Sequence, residues 1–410
     1  MQKALRKIVY AIISAILVAG LFACSSFPSY GYIRSLQADE YFNAPSELLY
    51  YYDSGESGAK ERAQSTLKQI NDSIACIEYN LSAEKEGGDI YRFNHASAGE
   101  EVVVSKETYE VFLNARSIWE KTEGAYNPAV RLLVDLWGFS PRFNDGAEVV
   151  TQYDRESAST PPEQKYIDLF KTLTNFGDIE ATETDGVYTL KKPSNTAAND
   201  GVTYSMQLDF GGYGKGYAAK RSAEMITGAG FNLGYVSFGS SSLHLLSRPQ
   251  TGKGDKSEWQ LKLTYPSSTG ANSGDWYVSL YAENSGVATS GDYERFYEKD
   301  GIIYSHIIDA STGKPIGNGI CTATIIGKDA AAADALTTAI LVMGKDRAIE
   351  FINRYLTDCK VVFAVRDGGV LGIYTNQPES SIALNPAHNN LKVLAYGDGN
   401  GRIKVNANEN

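Results

Sequence analysis

The 410-residue chain has few metal-ligating residues and little positive charge. Its four histidines are too far apart for an HExxH motif or a His-rich metal tract. None of its four cysteines lies in a CxxC pair, so we expect structural thiols rather than a disulfide framework or a zinc site. The net charge is −11 and no run of Lys or Arg exceeds two residues, so we expect no nucleic-acid partner.

The sequence also lacks the marks of several common architectures. It has no repeat with a period of 20–50 residues and no GxSxG segment, which argues against a solenoid and against the commonest serine-hydrolase fold. Its 43% apolar and 21% charged residues are an ordinary globular composition. The length suffices for two or three core-sized units.

The N-terminal segment has the pattern of an export signal. Three cations within the first seven residues precede an apolar run over 8–20, which is too short to span a membrane. Cys24 follows a small residue and resembles the lipidated cysteine of a bacterial lipobox, although Phe22 is bulkier than usual. We expect a signal peptide over 1–23 and a lipidated tether over 24–44; the alternative is an ordinary secretory signal. Both place the protein outside the cytoplasm, and the lipobox places it on the extracytoplasmic face of the membrane.

Helices and short strands are mixed along the chain without regular alternation. Apolar residues at three- to four-residue spacing predict a helix over 59–79, and Ser105 with Thr108 predicts the start of another. The mixture is typical of an α+β fold. We expect a folded domain over 45–378 and a C-terminal extension over 379–410.

The first candidate site is the glycine-rich segment over 208–218. A strand over 206–210 is predicted to enter a glycine loop, and a helix is predicted from Tyr217. Such loops bring backbone N–H groups close to phosphate. The residue after Lys215 is glycine and the glycine spacing is wrong, so the segment is neither a P-loop nor a GxGxxG motif. A phosphate site and a tight turn both remain open.

The second candidate is the pair Asp334 and Thr338 on an alanine-rich helix predicted over 330–343. A spacing of four places both oxygens on one face of the helix. A carboxylate with a hydroxyl suits Mg²⁺ that keeps some of its waters. The alternative is a solvated aspartate beside a threonine that bonds back to its own helix.

Two further segments carry polar residues at strand ends. His306 lies in a segment over 305–315 predicted to be the end of a strand and a turn, and Asp309, three residues later, would point to the opposite face of a regular strand. His306 is therefore either structural or a lone catalytic base. Small and hydroxyl residues over 287–295, Ser290 among them, lead into a charged turn that is equally consistent with a hairpin.

The order and spacing of these segments resemble the ApbE family, the bacterial FAD:protein FMN transferases. The resemblance covers roughly 45–378 and rests on seven segments. Residues 208–218 resemble LDLGGIAKGYA, 288–295 resemble ATSGDYxR, 306–315 resemble HIIDPxTGxP with Ala310 for proline, and 333–339 resemble ADALATA with Thr337 for alanine; upstream, 88–94 resemble SELSRLN, 122–128 resemble TxGAFDP, and 136–139 match LWGF.

The resemblance implies a single catalytic domain of the family's T-fold-like α+β type with an FAD cleft. Asp334, Thr338 and the backbone carbonyl of Gly214, which stands where the family has alanine, would hold Mg²⁺. His306 would take the proton of a Thr or Ser hydroxyl on an extracytoplasmic or membrane flavoprotein, which would receive FMN while AMP leaves. The residues implied for cofactor binding are Asn94, Ala125, Tyr126, Asn127, Asp209, Gly212, Lys215, Ser290 and His306.

Three departures from the family pattern leave alternatives open. Residues 237–241 lack the asparagine and one glycine of NxGGD, Asn127 replaces an aspartate, and the segment between Tyr79 and Asn94 is longer than expected. The alternatives are a Mg²⁺-dependent FAD pyrophosphatase and a flavin-binding lipoprotein without turnover. The intact metal pair and His306 favour the transferase.

Overall fold

The computed structural model describes residues 29–140, 160–199, 201–252, 254–267 and 274–404, except the side chains of 38–40. The predicted signal peptide and Cys24 lie outside the described residues.

A ten-stranded sheet forms the centre of the described fold. Neighbouring strands are antiparallel except for one pair near the end of the sheet, Val370–Thr375 and Leu391–Gly397, which is parallel. In sheet order the strands are β1 Tyr30–Tyr41, β2 Ala44–Asp53, β8 Gly234–Phe238, β9 Ser242–Leu245, β12 Ser285–Gly291, β17 Ile320–Gly327, β18 Lys360–Asp367, β19 Val370–Thr375, β21 Leu391–Gly397 and β22 Ile403–Lys404.

Helices and smaller sheets surround this sheet. The helices are α1 Ala59–Leu81, α2 Asp89–His95, α3 Lys106–Lys121, α4 Arg131–Leu136, α5 Gln164–Lys171, α6 Gly211–Gly228, α7 Ala330–Met343 and α8 Lys345–Tyr355, with 3₁₀ turns at Pro128–Val130, Phe176–Asp178 and Glu379–Ser381. The remaining strands are β3 Glu101–Val104, β4 Glu180–Thr184, β5 Val187–Lys191, β6 Thr196–Asn199, β7 Val202–Ser205, β10 Trp259–Thr264, β11 Trp276–Ala282, β13 Phe296–Lys299, β14 Ile302–Ser305, β15 Ile308–Asp309, β16 Lys314–Pro315 and β20 Ala383–Leu384. The α+β prediction is confirmed.

Local sequence signals explain several helices directly. The predicted helix over 59–79 is α1, and its apolar stripe of Ile70, Ile74 and Ile77 is buried. The side chain of Ser105 accepts the N–H of Thr108 at the start of α3, which is the cap that the sequence predicted.

The packing of α6 against α7 builds the region of the candidate site. A Cβ on Gly216 would overlap the carbonyl oxygen of Ala330 and lie 2.8 Å from Cβ of Asp334. Because glycine has no side chain, the two helices approach closely here. The approach brings the glycine-rich start of α6 beside Asp334.

The prediction of a strand over 206–210 is wrong. The neighbouring strand is Val202–Ser205, residues 206–210 are outside any strand, and α6 begins at Gly211, six residues before the predicted start. The backbone N–H and C=O of Leu208 bond to the side chain of Asn94 instead of to a strand. A long-range side-chain contact of this kind leaves no trace in local periodicity.

The main sheet extends beyond both ends of the predicted domain. Strand β1 lies within the predicted tether over 24–44, and β21 and β22 lie within the predicted extension over 379–410. The Ser-, Tyr- and Gly-rich composition suggested a tether, but tyrosine is a good strand former. The ordered sheet therefore starts closer to Cys24 than the sequence indicated.

The three cysteines within the described residues are unpaired: Cys76 is exposed, Cys321 is buried and Cys359 is half-buried. Among the described helices, none is long and apolar enough to cross a membrane.

Candidate functional site

Asp334 is the charged centre of the candidate site. Its side chain is buried on α7, and its Oδ2 accepts the backbone N–H of Gly216 at 2.9 Å. No donor in the described part of the chain reaches the other oxygen, Oδ1. The carboxylate is thus held by the glycine-rich start of α6 with one oxygen left for a further partner.

Three hydroxyls cluster beside the backbone of Asp334. Ser290 Oγ on β12 lies 2.9 Å from Thr337 Oγ1 and 3.3 Å from Thr338 Oγ1. Thr337 donates to the backbone oxygen of Asp334 at 2.8 Å. The structure thus brings Asp334, Thr338 and Ser290 together. It adds Thr337, which the sequence showed only as a departure from alanine.

Tyr126 and Gly212 complete the same surface. A Cβ on Gly212 would lie 3.4 Å from Thr338 Oγ1 and 3.9 Å from the ring of Tyr126. The Tyr126 hydroxyl is buried and makes no hydrogen bond within the described structure. Loss of hydration raises the pKa of Tyr126 well above its usual range, and the nearby charges of Asp334 and Asp209 raise it further. The hydroxyl is therefore a donor without an acceptor, at a place that suits an anionic ligand.

These residues fit Mg²⁺. No group of three His, Cys, Asp or Glu suitable for a metal occurs among the described residues. The donor set is instead one carboxylate with neutral hydroxyl and carbonyl oxygens, which are hard ligands of the kind that Mg²⁺ uses alongside water and phosphate. The absent side chain at Gly212 leaves room above Thr338, and Gly214 lies in the first turn of α6.

The side-chain amides of the two asparagines predicted to bind cofactor form hydrogen bonds to backbone. Asn94 Nδ2 donates to Leu208 O at 2.9 Å, and its Oδ1 accepts the Leu208 N–H at 2.7 Å. Asn127 Oδ1 accepts the Ala129 N–H and its Nδ2 donates to Thr174 O, both at 2.9 Å. Their side-chain amides therefore position the segments around the site.

Asp209 and Arg131 form a charged network at the start of α6. Asp209 Oδ1 accepts the Gly211 N–H at 2.7 Å, and its Oδ2 lies 3.6 Å from Arg131 Nη1. Arg131 is buried and also pairs with Asp135 at 3.0 Å and with Glu84. Sequence reasoning missed Arg131; its spacing of four from Asp135 was the available signal. Glu84 belongs to the longer segment between Tyr79 and Asn94, so that insertion contacts the network.

His306 is held as a neutral base. Its Nδ1 lies 3.1 Å from the backbone oxygen of Arg295. A carbonyl oxygen only accepts, so we assign the proton to Nδ1 and leave Nε2 as the free base. Loss of hydration lowers the pKa of His306 well below its usual range, and the charges of Arg295 and Lys215 lower it further.

The charges of Lys215 and Arg295, which act on His306, also act on the neighbouring carboxylate of Glu294. Loss of hydration raises the pKa of Glu294, Lys215 and Arg295 lower it, and Asp334 raises it. The Glu294 side chain is exposed. Glu294 occupies the variable position of the ATSGDYxR segment and was missed for that reason.

The altered segment over 237–241 comprises the end of β8 and the turn that leads to β9. Gly239 and Ser240 adopt left-handed backbone conformations, with φ of 65° and 57°. A Cβ on Gly239 would lie 3.6 Å from Lys215 Cδ. The departure from the family pattern therefore lies directly beside Lys215. Ala125, another expected cofactor contact, is buried next to Tyr126.

Sequence relatives carry a consistent name. The chain is 28% identical over 294 residues to the FAD:protein FMN transferase of Salmonella typhimurium, covering 72% of this chain and 75% of that protein. It is 27% identical to the FAD:protein FMN transferase of Treponema pallidum, covering 71% and 75% respectively.

Solved structures share the fold, and a family model matches most of the chain. The flavin transferase ApbE of Vibrio cholerae superposes with a TM-score of 0.65 at 22% identity, covering 85% of this chain and 97% of that one. The ApbE protein of Thermotoga maritima gives 0.63 at 24% identity, covering 88% and 98%. The ApbE family model matches residues 45–363. The chain therefore belongs to the ApbE family.

Proposed function

We propose that this protein is a Mg²⁺-dependent FAD:protein FMN transferase. The observation that carries the proposal is the junction of Asp334, Thr338 and Ser290 with the glycine-rich start of α6, in a site whose charges also act on a neutral histidine. The names of the relatives support the same activity.

Asp334, Thr338 and the carbonyl of Gly214 would hold the Mg²⁺. When bound, the ion neutralises charge on the FAD pyrophosphate. Gly212 leaves space for the phosphates beside Thr338, and the Tyr126 hydroxyl offers them a hydrogen bond.

His306 supplies the base for the acceptor hydroxyl. Its Nε2 takes the proton from a Thr or Ser hydroxyl of the acceptor protein, and the oxygen forms a bond to the FMN phosphorus. The bond between that phosphorus and the bridging oxygen breaks, and AMP leaves with the bond electrons. An alcohol is a poor nucleophile without such help, and a neutral imidazole provides it at neutral pH.

The cellular setting is a further part of the proposal. The leader pattern and Cys24 support a lipid anchor on the extracytoplasmic face of the membrane. The first ordered strand begins at Tyr30, so only a short linker would separate the anchor from the domain. We propose membrane or extracytoplasmic flavoproteins as acceptors.

Product analysis tests this function. The purified protein is incubated with FAD and Mg²⁺, with and without a flavoprotein domain that carries an acidic-x-x-Thr-Gly-Ala-Thr site, and AMP and FMN are measured. We expect AMP release that depends on the acceptor and stops with EDTA. AMP with free FMN and no need of an acceptor would identify a pyrophosphatase, and bound FAD without AMP would identify a flavin binder.

A further inference from the structure

The β1–β2 hairpin closes with an unusual turn. Tyr41 pairs with Ala44, and the two residues between them, Phe42 and Asn43, have φ of 55° and 51°. Turns of this kind favour Asn and Gly, which tolerate the left-handed region. A bulky residue there is strained and persists only when its surroundings hold it.

The surroundings of Phe42 hold it in place. Its backbone N–H donates to Glu78 Oε1 at 2.8 Å, and Glu78 is buried and paired with Lys85. The Phe42 ring packs edge-on against Phe238 with centroids 6.1 Å apart. The ring is therefore fixed on the hairpin and directed at α6.

The ring meets α6 at Gly214. A Cβ on Gly214 would lie 3.0 Å from Cε1 of Phe42 and 3.5 Å from Cδ1. Gly214 lies within the helix, and its N–H donates to Phe210 O at 2.9 Å. Its backbone does not need glycine, which is less favourable than alanine within a helix.

Two locally unfavourable residues therefore fit one another. A phenylalanine stands in a left-handed turn, and a glycine stands in a helix where the family pattern has alanine. Each is explained by the other, because the ring fills the volume that the methyl group would take. Gly214 is also the residue whose carbonyl is proposed to bind the metal, and glycine alone would leave that carbonyl less restrained.

We propose that Phe42 is a positioning residue for the metal site, which holds the backbone of Gly214 in place of the missing alanine methyl. The inference rests on the proposed function, since it assigns Phe42 a role at the metal site proposed there. It adds the β1–β2 hairpin to the parts of the chain that shape this site.

Mn²⁺ binding measured by electron paramagnetic resonance tests the proposal without turnover. Phe42→Asn keeps a residue suited to the turn and removes the ring, so we expect Mn²⁺ affinity to fall about tenfold. Gly214→Ala is expected to weaken binding as well, because its methyl collides with the ring. In the double variant, Phe42→Asn with Gly214→Ala, the alanine methyl occupies the space left by the Phe42 ring. We expect this variant to bind Mn²⁺ more tightly than either single variant. Asn43→Gly, which alters the same turn but keeps the ring, is the control and should bind Mn²⁺ normally.

Thermal unfolding in EDTA separates this effect from loss of the fold, and Phe42→Gly repeats the test should Phe42→Asn fold poorly. Wild-type Mn²⁺ affinity in the Phe42 variants, or a double variant no better than Gly214→Ala, would overturn the proposal. Asp334→Asn distinguishes failure of the proposed role of Phe42 from failure of the proposed metal site. If it abolishes Mn²⁺ binding while the Phe42 variants bind normally, only the role of Phe42 fails. If it binds Mn²⁺ normally, the metal site itself fails.

Discussion

The side-chain amide of Asn94 makes two hydrogen bonds with the backbone of Leu208, at 2.9 Å to its oxygen and 2.7 Å from its nitrogen. Asn94 is buried at the end of α2, and Leu208 lies three residues before α6. One side chain thus takes the place of a neighbouring strand and fixes the entry to the glycine-rich segment.

Removing this amide should loosen the site. Asn94→Leu preserves much of the volume but leaves a buried N–H and C=O without partners, at roughly 1–3 kcal/mol each. We expect the free energy of unfolding to fall by about 2–4 kcal/mol and the KM for FAD to rise. Urea denaturation and steady-state kinetics measure both, with Asn232→Ala at an exposed position as the control. A variant as stable as wild type would show that the two hydrogen bonds of Asn94 to Leu208 do not stabilise the fold.

Asp334→Asn tests the metal site with little disturbance of the fold. The amide oxygen still accepts the Gly216 N–H, while the charge that attracts the cation is gone. We expect Mg²⁺-dependent FAD turnover to fall by at least about a hundredfold with near-normal thermal stability. Asp329→Asn at the N-cap of the same helix removes a carboxylate but keeps a capping oxygen, so we expect both stability and turnover to stay close to wild type. Equal turnover in both variants would remove Asp334 from the site.

The pKa of His306 predicts an unusual pH profile. A base acts in its unprotonated form, so a pKa well below the usual range keeps His306 active at more acidic pH than an ordinary histidine. We expect the rate of transfer to a protein hydroxyl to remain on its plateau at pH 6.5. His306→Gln should slow transfer by about 10²–10⁴-fold and flatten the acid limb, with little change in FAD affinity. If the wild type reached half-maximal activity only at or above pH 6.5, the pKa of His306 would not be lowered as described.

Lys192 offers a test of stability rather than activity. Its buried ammonium donates to the backbone oxygens of Phe93, Asn94 and Ala96, and loss of hydration lowers its pKa to about 8. Between about pH 8 and the pKa of 10.5 in the unfolded chain, the unfolded state binds more protons, so the free energy of unfolding rises with pH.

Urea denaturation at pH 7.5 and 9.5 checks this sign. We expect the stability difference between wild type and Lys192→Met to widen at the higher pH, while the exposed control Lys60→Met shows no such change. A difference that stays constant or narrows would show that Lys192 is not dehydrated in the folded protein.

The sequence predicted those parts of the site that lie on single helices or in contiguous segments. Asp334 and Thr338 share a face because of their spacing, and the alanines beside them permit the close approach of α6. Periodicity also predicted α1, because its apolar residues repeat with the period of a helix, and alanine-rich composition predicted α7.

Long-range contacts could not be predicted from the sequence. The contact of Asn94 with Leu208 spans 114 residues and replaces a predicted strand. The buried charge of Arg131 and the ring of Phe42 over Gly214 depend on distant segments brought together by the sheet. Strand β1 was missed because its alternation is masked by polar and small residues of tether-like composition.

The central claim is transfer of FMN to a protein hydroxyl, and intact-mass spectrometry of the acceptor tests it most directly. The purified protein is mixed with FAD, Mg²⁺ and a flavoprotein domain that carries an acidic-x-x-Thr-Gly-Ala-Thr site, beside the same domain with its acceptor threonine changed to valine. We expect a mass gain of one FMN on the threonine form only, abolished by EDTA and by Asp334→Asn. An unmodified acceptor in the presence of released AMP would contradict the account and identify water as the nucleophile.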